Sequence, residues 1–360
     1  MSLVIIAVEN LRIGGYQRLA LDQAYYLSDI SQRCLLLLLN PESPGLKSFE
    51  STEEDLIRSK NLVTYRLSGK RIKDFFVIRK TLKLEDSDVL VISHSMRSTV
   101  LFAIARAGLK RKIIINTTIH QLPSLSRFFQ RLKRFCYSQF GDNIYAYSDA
   151  VNKDWLNRYS NLGRPISILR NGIYQERLNI CEFSLDINSP RLIFLGRNTS
   201  WKGIDIYFSL FNLPIFSEYQ GLMMIAKSST DIQNAANKVG LGQIKIIEGA
   251  NLSDFEPQEN DLHVYPSQYG ENAKYTEPIS LNCLEMALLG IPSLVTPSRE
   301  NTWPELTEIG VFIPVEWDQI ENFQTELKEK IKKINKINKQ EVSELISVSK
   351  NVKAHLKFLG

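Results

Sequence analysis

Short apolar runs alternate along the chain with longer amphipathic stretches, and this alternation constrains the fold more than any other feature. Continuous apolar strands separated by helices are typical of a parallel sheet covered on both faces. The pattern predicts helices near residues 15–28, 71–83, 97–107, 124–139 and 149–160. The first half of the chain holds seven strand-like runs: Leu3–Val8, Cys34–Leu39, Asn61–Arg66, Asp88–Ser93, Lys112–Asn116, Asn143–Tyr147 and Ile166–Leu169.

The alternation stops after residue 173 and restarts after Asn188-Ser189-Pro190, which is a hinge signal. The second-half strands are Arg191–Leu195, Gly221–Ile225, Gln243–Ile247, Asp261–Tyr265, Pro292–Val295 and Val311–Pro314. A length of 360 residues suits two cores better than one. We therefore predict two doubly wound α/β domains, 1–175 and 190–339. The stretches 317–338 and 339–358 read as helices, and a C-terminal helix at about 340–360 is expected to pack back on the first domain.

Charge divides the chain along the same line. Residues 1–180 contain 27 Lys and Arg against 16 Asp and Glu, whereas the rest contains 17 against 23. A basic half beside an acidic half indicates that the first half faces something anionic. Phospholipid, a phosphorylated acceptor and nucleic acid all satisfy this observation.

The compartment is indicated by what the sequence lacks. The four cysteines are scattered, with no CxxC pair, which favours a reducing compartment and argues against disulfides or structural zinc. The first residues, Met1–Ile6, predict a buried strand and not a signal peptide. We expect a cytoplasmic protein with no metal and no cofactor.

In open parallel sheets, ligands bind at the carboxyl ends of the strands, and four patterns fall at such ends. The first strand leads into Gly14-Gly15 directly before a helix, where glycines let backbone amides approach a phosphate or a sugar. A tight turn explains the two glycines equally well. His120 follows another strand, although a single histidine is more often structural than catalytic.

The other two patterns lie in the second half. Arg197 ends a strand and Lys202 precedes a helix, and two cations beside a helix N-terminus suit a diphosphate. Solvated charges in a polar turn are the alternative. Glu277 and Glu285 are predicted on one helix opened by Pro278, with the second carboxylate about two turns beyond the first. A surface pair of acids is the alternative there.

Further motifs accompany these residues in a fixed order: Tyr147-Ser148-Asp149-Ala150, Arg170-Asn171-Gly172-Ile173, Gly196-Arg197 with Lys202-Gly203, Tyr265-Pro266-Ser267, Gly290-Ile291-Pro292 and Pro304-Glu305. Together the patterns resemble the family 4 retaining glycosyltransferases. The resemblance covers nearly the whole chain. It implies the GT-B fold, in which two Rossmann-like domains face each other across a cleft.

The resemblance also implies a role for each matched residue of the second half. Arg197 and Lys202 would hold the diphosphate of a nucleotide-sugar donor. Glu277 would contact the transferred sugar, and Glu285 would contact the ribose.

Three further positions complete the implied site. His120 would lie beside the sugar, and Gly15 would bring backbone amides close to a phosphate or to the acceptor. Backbone amides around Ser280 and Leu281 would meet the donor phosphates. The chain departs from the family here, because Pro278-Ile279-Ser280 stands where a Gly-Phe-Gly run is usual.

The activity implied is transfer of a sugar from a nucleoside-diphosphate sugar to a hydroxyl, with retention of configuration, in cell-surface glycan or glycolipid assembly. The nucleotide sugar is a substrate, and the leaving phosphate takes the acceptor proton. Two alternatives stay open: a GT-B-related sugar-nucleotide epimerase, and a non-catalytic GT-B subunit that stabilises a partner enzyme.

Two remaining patterns have competing explanations. Asp86-Ser87-Asp88 resembles a metal-binding DxD motif, but it precedes a strand, which favours an exposed turn over a metal site. The basic, Phe-rich stretch 126–140 suits either peripheral contact with an anionic membrane or a domain helix with one buried aromatic face. No recognised nucleic-acid module accompanies it, so we expect no nucleic-acid partner.

Overall fold

The structure is a computed structural model. It describes residues 2–11, 14–40, 54–120, 127–147, 165–178, 190–196, 199, 202–225, 228–240, 243–248, 255–258, 260–267, 280–297, 303–332, 334 and 337–359, apart from the side chains of residues 71, 127–131 and 134. The chain divides into two compact units. Unit 1 comprises Met1–Tyr174 and Ile346–Gly360, and unit 2 comprises Gln175–Leu345.

Unit 1 contains a parallel sheet of seven strands among the described residues, in the order β3-β2-β1-β4-β5-β6-β7. The strands are β1 Leu3–Val8, β2 Cys34–Leu38, β3 Val63–Arg66, β4 Val89–Ser93, β5 Ile113–Ile119, β6 Asn143–Ala146 and β7 Ile166–Ile168. The central strands β1 and β4 are buried along their whole length, as their unbroken apolar sequences predict. Edge strand β3 is largely exposed.

Helices cover both faces of this sheet. They are α1 Gly15–Asp29, α2 Glu54–Ser59, α3 Arg71–Leu84, α4 Met96–Arg106 and α5 Arg127–Phe140. Right-handed crossovers place α1 and α2 on one face and α3, α4 and α5 on the other, because the strand order reverses after β3. Ile78 and Phe102, on the second face, pack against Ile5, Val91 and Ile115 of the sheet.

Unit 2 contains a second parallel sheet, with six described strands in the order β10-β9-β8-β11-β12-β13. The strands are β8 Arg191–Gly196, β9 Gln220–Ile225, β10 Ile244–Glu248, β11 Leu262–Tyr265, β12 Ser293–Val295 and β13 Phe312–Pro314. The helices are α6 Ile204–Ser209, α7 Thr230–Val239, α8 Leu281–Leu288, α9 Pro304–Glu308, α10 Gln324–Lys332 and α11 Lys339–Ile346. Phe194, Tyr207, Phe216 and Met223 form the centre of its core.

The C-terminal segment differs from the single helix that the sequence predicts. It forms α11 and then α12 Val348–Leu356, which packs against α1. The break falls at Ser347, whose backbone pairs with Ile173 in a parallel bridge, while the Val348 amide donates to the Ile173 carbonyl at 3.1 Å. A Cβ on Gly172 would lie 2.5 Å from Cα of Val348, so only glycine fits beside this crossing.

Candidate functional site

Two histidines meet at the carboxyl ends of neighbouring strands in unit 1. His94 directly follows β4 and His120 directly follows β5. The Nδ1 atom of His94 lies 2.7 Å from Nε2 of His120, and the two rings stack with their centroids 5.0 Å apart. Sequence reasoning singled out His120 and missed His94. The signal was present, because each histidine is the first residue after a strand and the two strands are adjacent and parallel.

Two tyrosine rings pack against the ring of His120. Tyr16 and Tyr147 stack on its ring at centroid distances of 5.7 and 5.8 Å. Tyr16 stands next to Gly15, the first residue of α1, so the structure brings Gly15 and His120 into one neighbourhood. A Cβ built on Gly15 would meet nothing within 4 Å, which leaves the backbone at the start of this helix accessible.

Burial keeps both imidazoles neutral at neutral pH. Desolvation lowers the pKa of His94 to about 3. The pKa of His120 also lies well below its usual value, because of desolvation first and the neighbouring His94 second. Neutral imidazoles donate and accept hydrogen bonds without carrying charge, so this strand edge suits uncharged hydroxyl groups.

In unit 2, Lys202 lies beside the end of β11. Its side chain is only 6% exposed, and Nζ lies 3.0 Å from Oη of Tyr265 and 4.9 Å from the centre of that ring. The following Gly203 has φ +72, and a Cβ there would lie 2.3 Å from the carbonyl oxygen of Pro266. The Lys202-Gly203 pair is therefore fitted to Tyr265-Pro266, and a cation is held at this strand edge.

The helix that was predicted to begin at Pro278 begins later. Helix α8 starts at Leu281, and Ser280 is its N-cap residue, with a side-chain oxygen that accepts from the backbone amide of Asn282. Ser280 and Leu281 thus form the cap and the first turn. The prediction that the two acidic residues share this helix was wrong, because the chain is extended at Ser280 and Glu277 precedes the cap.

Glu285 lies just over one turn into α8 and is 6% exposed. It forms a buried ion pair with Arg177, which belongs to the 3-10 turn Gln175–Arg177. Sequence reasoning missed this partner, which is 108 residues away along the chain. A buried charge with a paired, hydrogen-bonded partner is typical of a structured polar site and not of a surface acid.

The start of α8 is tied to the end of β8. Asn282 Nδ2 donates to the carbonyl oxygen of Leu195 at 3.1 Å. The structure therefore gathers the ends of β8 and β11, the residue Lys202 and the first turn of α8 at one edge of the second sheet. Arg197 and Glu277, the other two predicted site residues of this unit, lie outside the described residues.

No protein-family model matches the sequence, and no curated protein matches it closely enough to be a recognisable relative. Solved structures do match over almost the whole chain. HepE of Anabaena in complex with UDP has a TM-score of 0.71 at 16% identity, with 99% of each chain covered. A glycosyltransferase from Rickettsia africae has a TM-score of 0.69 at 14% identity, covering 99% of this chain and 97% of its own.

A third structure, the lipopolysaccharide outer core galactosyltransferase WaaB, has a TM-score of 0.63 at 14% identity, covering 100% of this chain and 99% of its own. The architecture follows from one seven-stranded and one six-stranded parallel sheet, together with a structural match over almost the whole chain. The chain has the GT-B fold. The polar residues described above therefore lie at the strand edges of the two Rossmann-like halves of a GT-B protein.

The DxD-like pair lies at the other edge of the first GT-B sheet. Asp86 and Asp88 precede β4, whereas His94 follows the same strand, so the two groups are separated by the length of that strand. Within the described ranges, no three His, Cys, Asp or Glu side chains cluster as metal ligands would.

The basic helix α5 is described in part. Leu132 and Phe135 are 40% and 55% exposed, whereas Cys136 and Tyr137 are buried. The side chains of Phe128 and Phe129 lie outside the described residues, as do those of Arg127, Arg131 and Arg134. None of the helices in the described part of the chain has the length and apolar character needed to cross a membrane.

Proposed function

We propose that this GT-B protein is a glycosyltransferase that moves a sugar from a nucleoside-diphosphate sugar to a hydroxyl acceptor, with retention of configuration. The observation that carries the proposal is the buried Lys202, whose ammonium group is bonded to Tyr265 at the carboxyl end of β11 in the second sheet. HepE, which shares the fold, has been solved with UDP-glucose and with UDP. A fixed cation stabilises a diphosphate, whose charge grows as the sugar leaves.

The second unit supplies the donor contacts in this proposal. Lys202 and Arg197 hold the diphosphate, and the backbone amides at Ser280 and Leu281 meet its oxygens at a helix N-terminus. Glu285 accepts from a ribose hydroxyl beside its ion pair with Arg177. This pair orients the carboxylate, which supports a role in recognising a diol.

The remaining contacts are to the sugar and the acceptor. Glu277 contacts the transferred sugar, His120 lies beside it, and the amide of Gly15 approaches a phosphate or the acceptor. The leaving phosphate takes the acceptor proton, so the proposal assigns no general base. It includes no metal and no cofactor.

A product assay tests the proposed reaction. Incubation with a nucleotide sugar and a panel of glycan and lipid-linked acceptors should yield a glycoside whose anomeric configuration, read by proton NMR, matches the donor. Conversion of the donor sugar without any acceptor would favour the epimerase. Failure to bind any nucleotide would favour a non-catalytic subunit.

We further propose that the enzyme works in the cytoplasm, in cell-surface glycan or glycolipid assembly, with peripheral contact to an anionic membrane through residues 126–140. The positive balance of the first 180 residues and the exposed Leu132 and Phe135 of α5 support this contact. A basic residue near an anionic leaflet contributes about 1 kcal/mol. We propose no role for nucleic acid.

Liposome co-sedimentation tests the membrane contact. Changing Arg127, Arg131, Lys133 and Arg134 to Gln should release the protein from anionic vesicles at low salt. The matched control changes four exposed lysines at the N-cap of α3 and within it, Lys70, Lys73, Lys80 and Lys83, to Gln. Equal losses in both variants would show that general charge holds the protein, and no binding by wild type would contradict the contact.

A further inference from the structure

A chain of side-chain hydrogen bonds leads away from His120 into the C-terminal helix. His120 Nε2 lies 2.7 Å from His94 Nδ1, and His94 Nε2 lies 2.8 Å from Oε1 of Gln23 on α1. Gln23 Nε2 donates to Oδ1 of Asn351 on α12 at 2.6 Å. Asn351 Nδ2 donates to the backbone carbonyl of Arg170 at 2.9 Å. All of these residues belong to unit 1.

The direction of every bond in this chain follows from its far end. A backbone carbonyl only accepts, so the Arg170 oxygen draws the Nδ2 donor of Asn351 toward itself. The Oδ1 acceptor of Asn351 is then turned toward Gln23, which must donate through Nε2. This leaves Oε1 of Gln23 facing His94, and the imidazole must donate to it through Nε2–H.

The same logic fixes the proton of His120. A neutral imidazole that donates through Nε2 has a lone pair on Nδ1, so His94 accepts from His120 through that atom. The proton of His120 is therefore on Nε2, and its Nδ1 is an acceptor. Both rings stay neutral at neutral pH because burial lowers the pKa of each.

We propose that Asn351 is a positioning residue, which sets the tautomer of His120 through Gln23 and His94 so that His120 offers Nδ1 as a hydrogen-bond acceptor. A hydroxyl group of the bound substrate is the partner that this acceptor fits. Only that last step rests on the proposed function; the tautomer does not.

Packing alone does not explain why polar residues occupy these buried positions. Gln23 and Asn351 are 0% and 2% exposed. Buried amides cost free energy unless they are hydrogen-bonded, and apolar residues of similar size would fill the same space. An apolar pair would form no hydrogen bonds and so could not determine which nitrogen of His94 carries the proton. His355, the buried histidine of α12, bonds to Asn116 through its Nδ1 atom and lies outside this chain of bonds.

Nitrogen-15 NMR of histidine side chains tests the proposal without any substrate. The protein has four histidines, so selective labelling gives a small spectrum that His94→Gln and His120→Gln variants assign. In wild type at neutral pH, Nδ1 of His120 should resonate as an unprotonated nitrogen and Nε2 as a protonated one. If the wild-type spectrum shows the proton on Nδ1 of His120, that result by itself overturns the proposal.

The key variant is Asn351→Leu, which frees the Gln23 amide to turn and so removes the preference between tautomers. We expect Nδ1-protonated signals to appear for both His94 and His120. Asn351→Asp keeps an acceptor for Gln23 and should keep the wild-type tautomer. Val352→Ala, at a fully buried neighbour on α12, controls for lost packing and should leave the tautomers unchanged. An unchanged spectrum in folded Asn351→Leu would overturn the proposal.

Kinetics separate this inference from the proposed function. If half or more of His120 changes tautomer, kcat for transfer should fall about two- to tenfold while the donor KM stays the same. Tautomers that respond as expected in a protein that transfers no sugar would overturn the proposed function and leave the assignment of Asn351 intact.

Discussion

The two units place different chemistry at the carboxyl ends of their strands. In unit 1 the edge is built from neutral groups that bond to one another, with His120 and His94 at its centre. In unit 2 it is built from charged groups, with Lys202 bonded to Tyr265 and Glu285 paired with Arg177. Neutral groups suit sugar hydroxyls and fixed charge suits a diphosphate. The same strand order thus carries two chemically different sets of side chains.

The largest effect should come from the charged edge. Lys202→Ala or Arg197→Ala should each remove a charge-assisted contact worth about 2–4 kcal/mol in the transition state. Turnover should then fall on the order of a hundredfold or more, with the fold intact. Lys245→Ala, at an exposed position on β10, is the matched control. Near-normal turnover in both Lys202→Ala and Arg197→Ala would contradict the proposal that this edge binds the diphosphate.

The stability of the two units should respond differently to acid. Desolvation lowers the pKa of His94 and His355 to about 3 and that of His120 well below 6.5, and all three belong to unit 1. Unit 2 has one such residue, His263, also at about 3. A histidine buried as the neutral form takes up a proton on unfolding, so its stability contribution is complete above pH 6.5 and declines below it, toward pH 3.

Each of these histidines should therefore lower the free energy of unfolding as the pH falls below 6.5. Because unit 1 has three and unit 2 has one, the opening free energy measured by hydrogen exchange between pH 6.5 and 5 should fall first in peptides from unit 1. Replacing His355 with Gln should reduce the acid sensitivity of unit 1. Equal sensitivity of both units would contradict the difference in buried histidines.

The neutral edge should affect turnover without affecting the nucleotide. His120→Ala removes one hydrogen bond to the substrate, which corresponds to a loss of about tenfold or more in kcat. Nucleotide affinity should stay at the wild-type value, because the nucleotide contacts are assigned to unit 2. Calorimetry with the nucleoside diphosphate measures this directly. If His120→Ala lowers nucleotide affinity as much as Lys202→Ala does, the assignment of the nucleotide contacts to unit 2 is contradicted.

The smallest effect is expected at the opposite edge of the first sheet. Asp88 precedes β4 and has no ligand role in this account, so Asp88→Asn should retain wild-type turnover. Turnover should also persist in excess EDTA. If EDTA abolishes activity and manganese or magnesium restores it, the charged residues of unit 2 do not stabilise the leaving diphosphate without a metal ion.

The strands of both sheets could be predicted from the sequence, because most of them are short apolar or β-branched runs between polar segments. β1 was predicted with its observed bounds, Leu3–Val8, and β4 within one residue. Periodicity defines such elements locally. The break between α11 and α12 could not be predicted in this way, because it depends on backbone pairing between Ser347 and Ile173, which lie far apart in sequence.

Single candidate residues could be predicted from their positions after a strand or before a helix. His120 and Lys202 were identified by position, whereas the partners His94 and Arg177 were missed, since pairing depends on which strand ends and turns are neighbours in space. The start of α8 was placed too early because Pro278 also suits a first helical turn. The side-chain bond at Ser280 shows where the helix begins.

The proposal assigns the diphosphate of a sugar donor to the charged residues of unit 2. Thermal denaturation of wild type and Lys202→Ala with UDP, GDP, ADP and CMP measures this binding. A ligand at a hundred times its Kd adds about 2.7 kcal/mol to the unfolding free energy. We expect one of the three nucleoside diphosphates to raise the Tm of wild type, and we expect this shift to disappear largely in Lys202→Ala. An unchanged Tm with every nucleotide, or an equal shift in both proteins, would contradict the proposal.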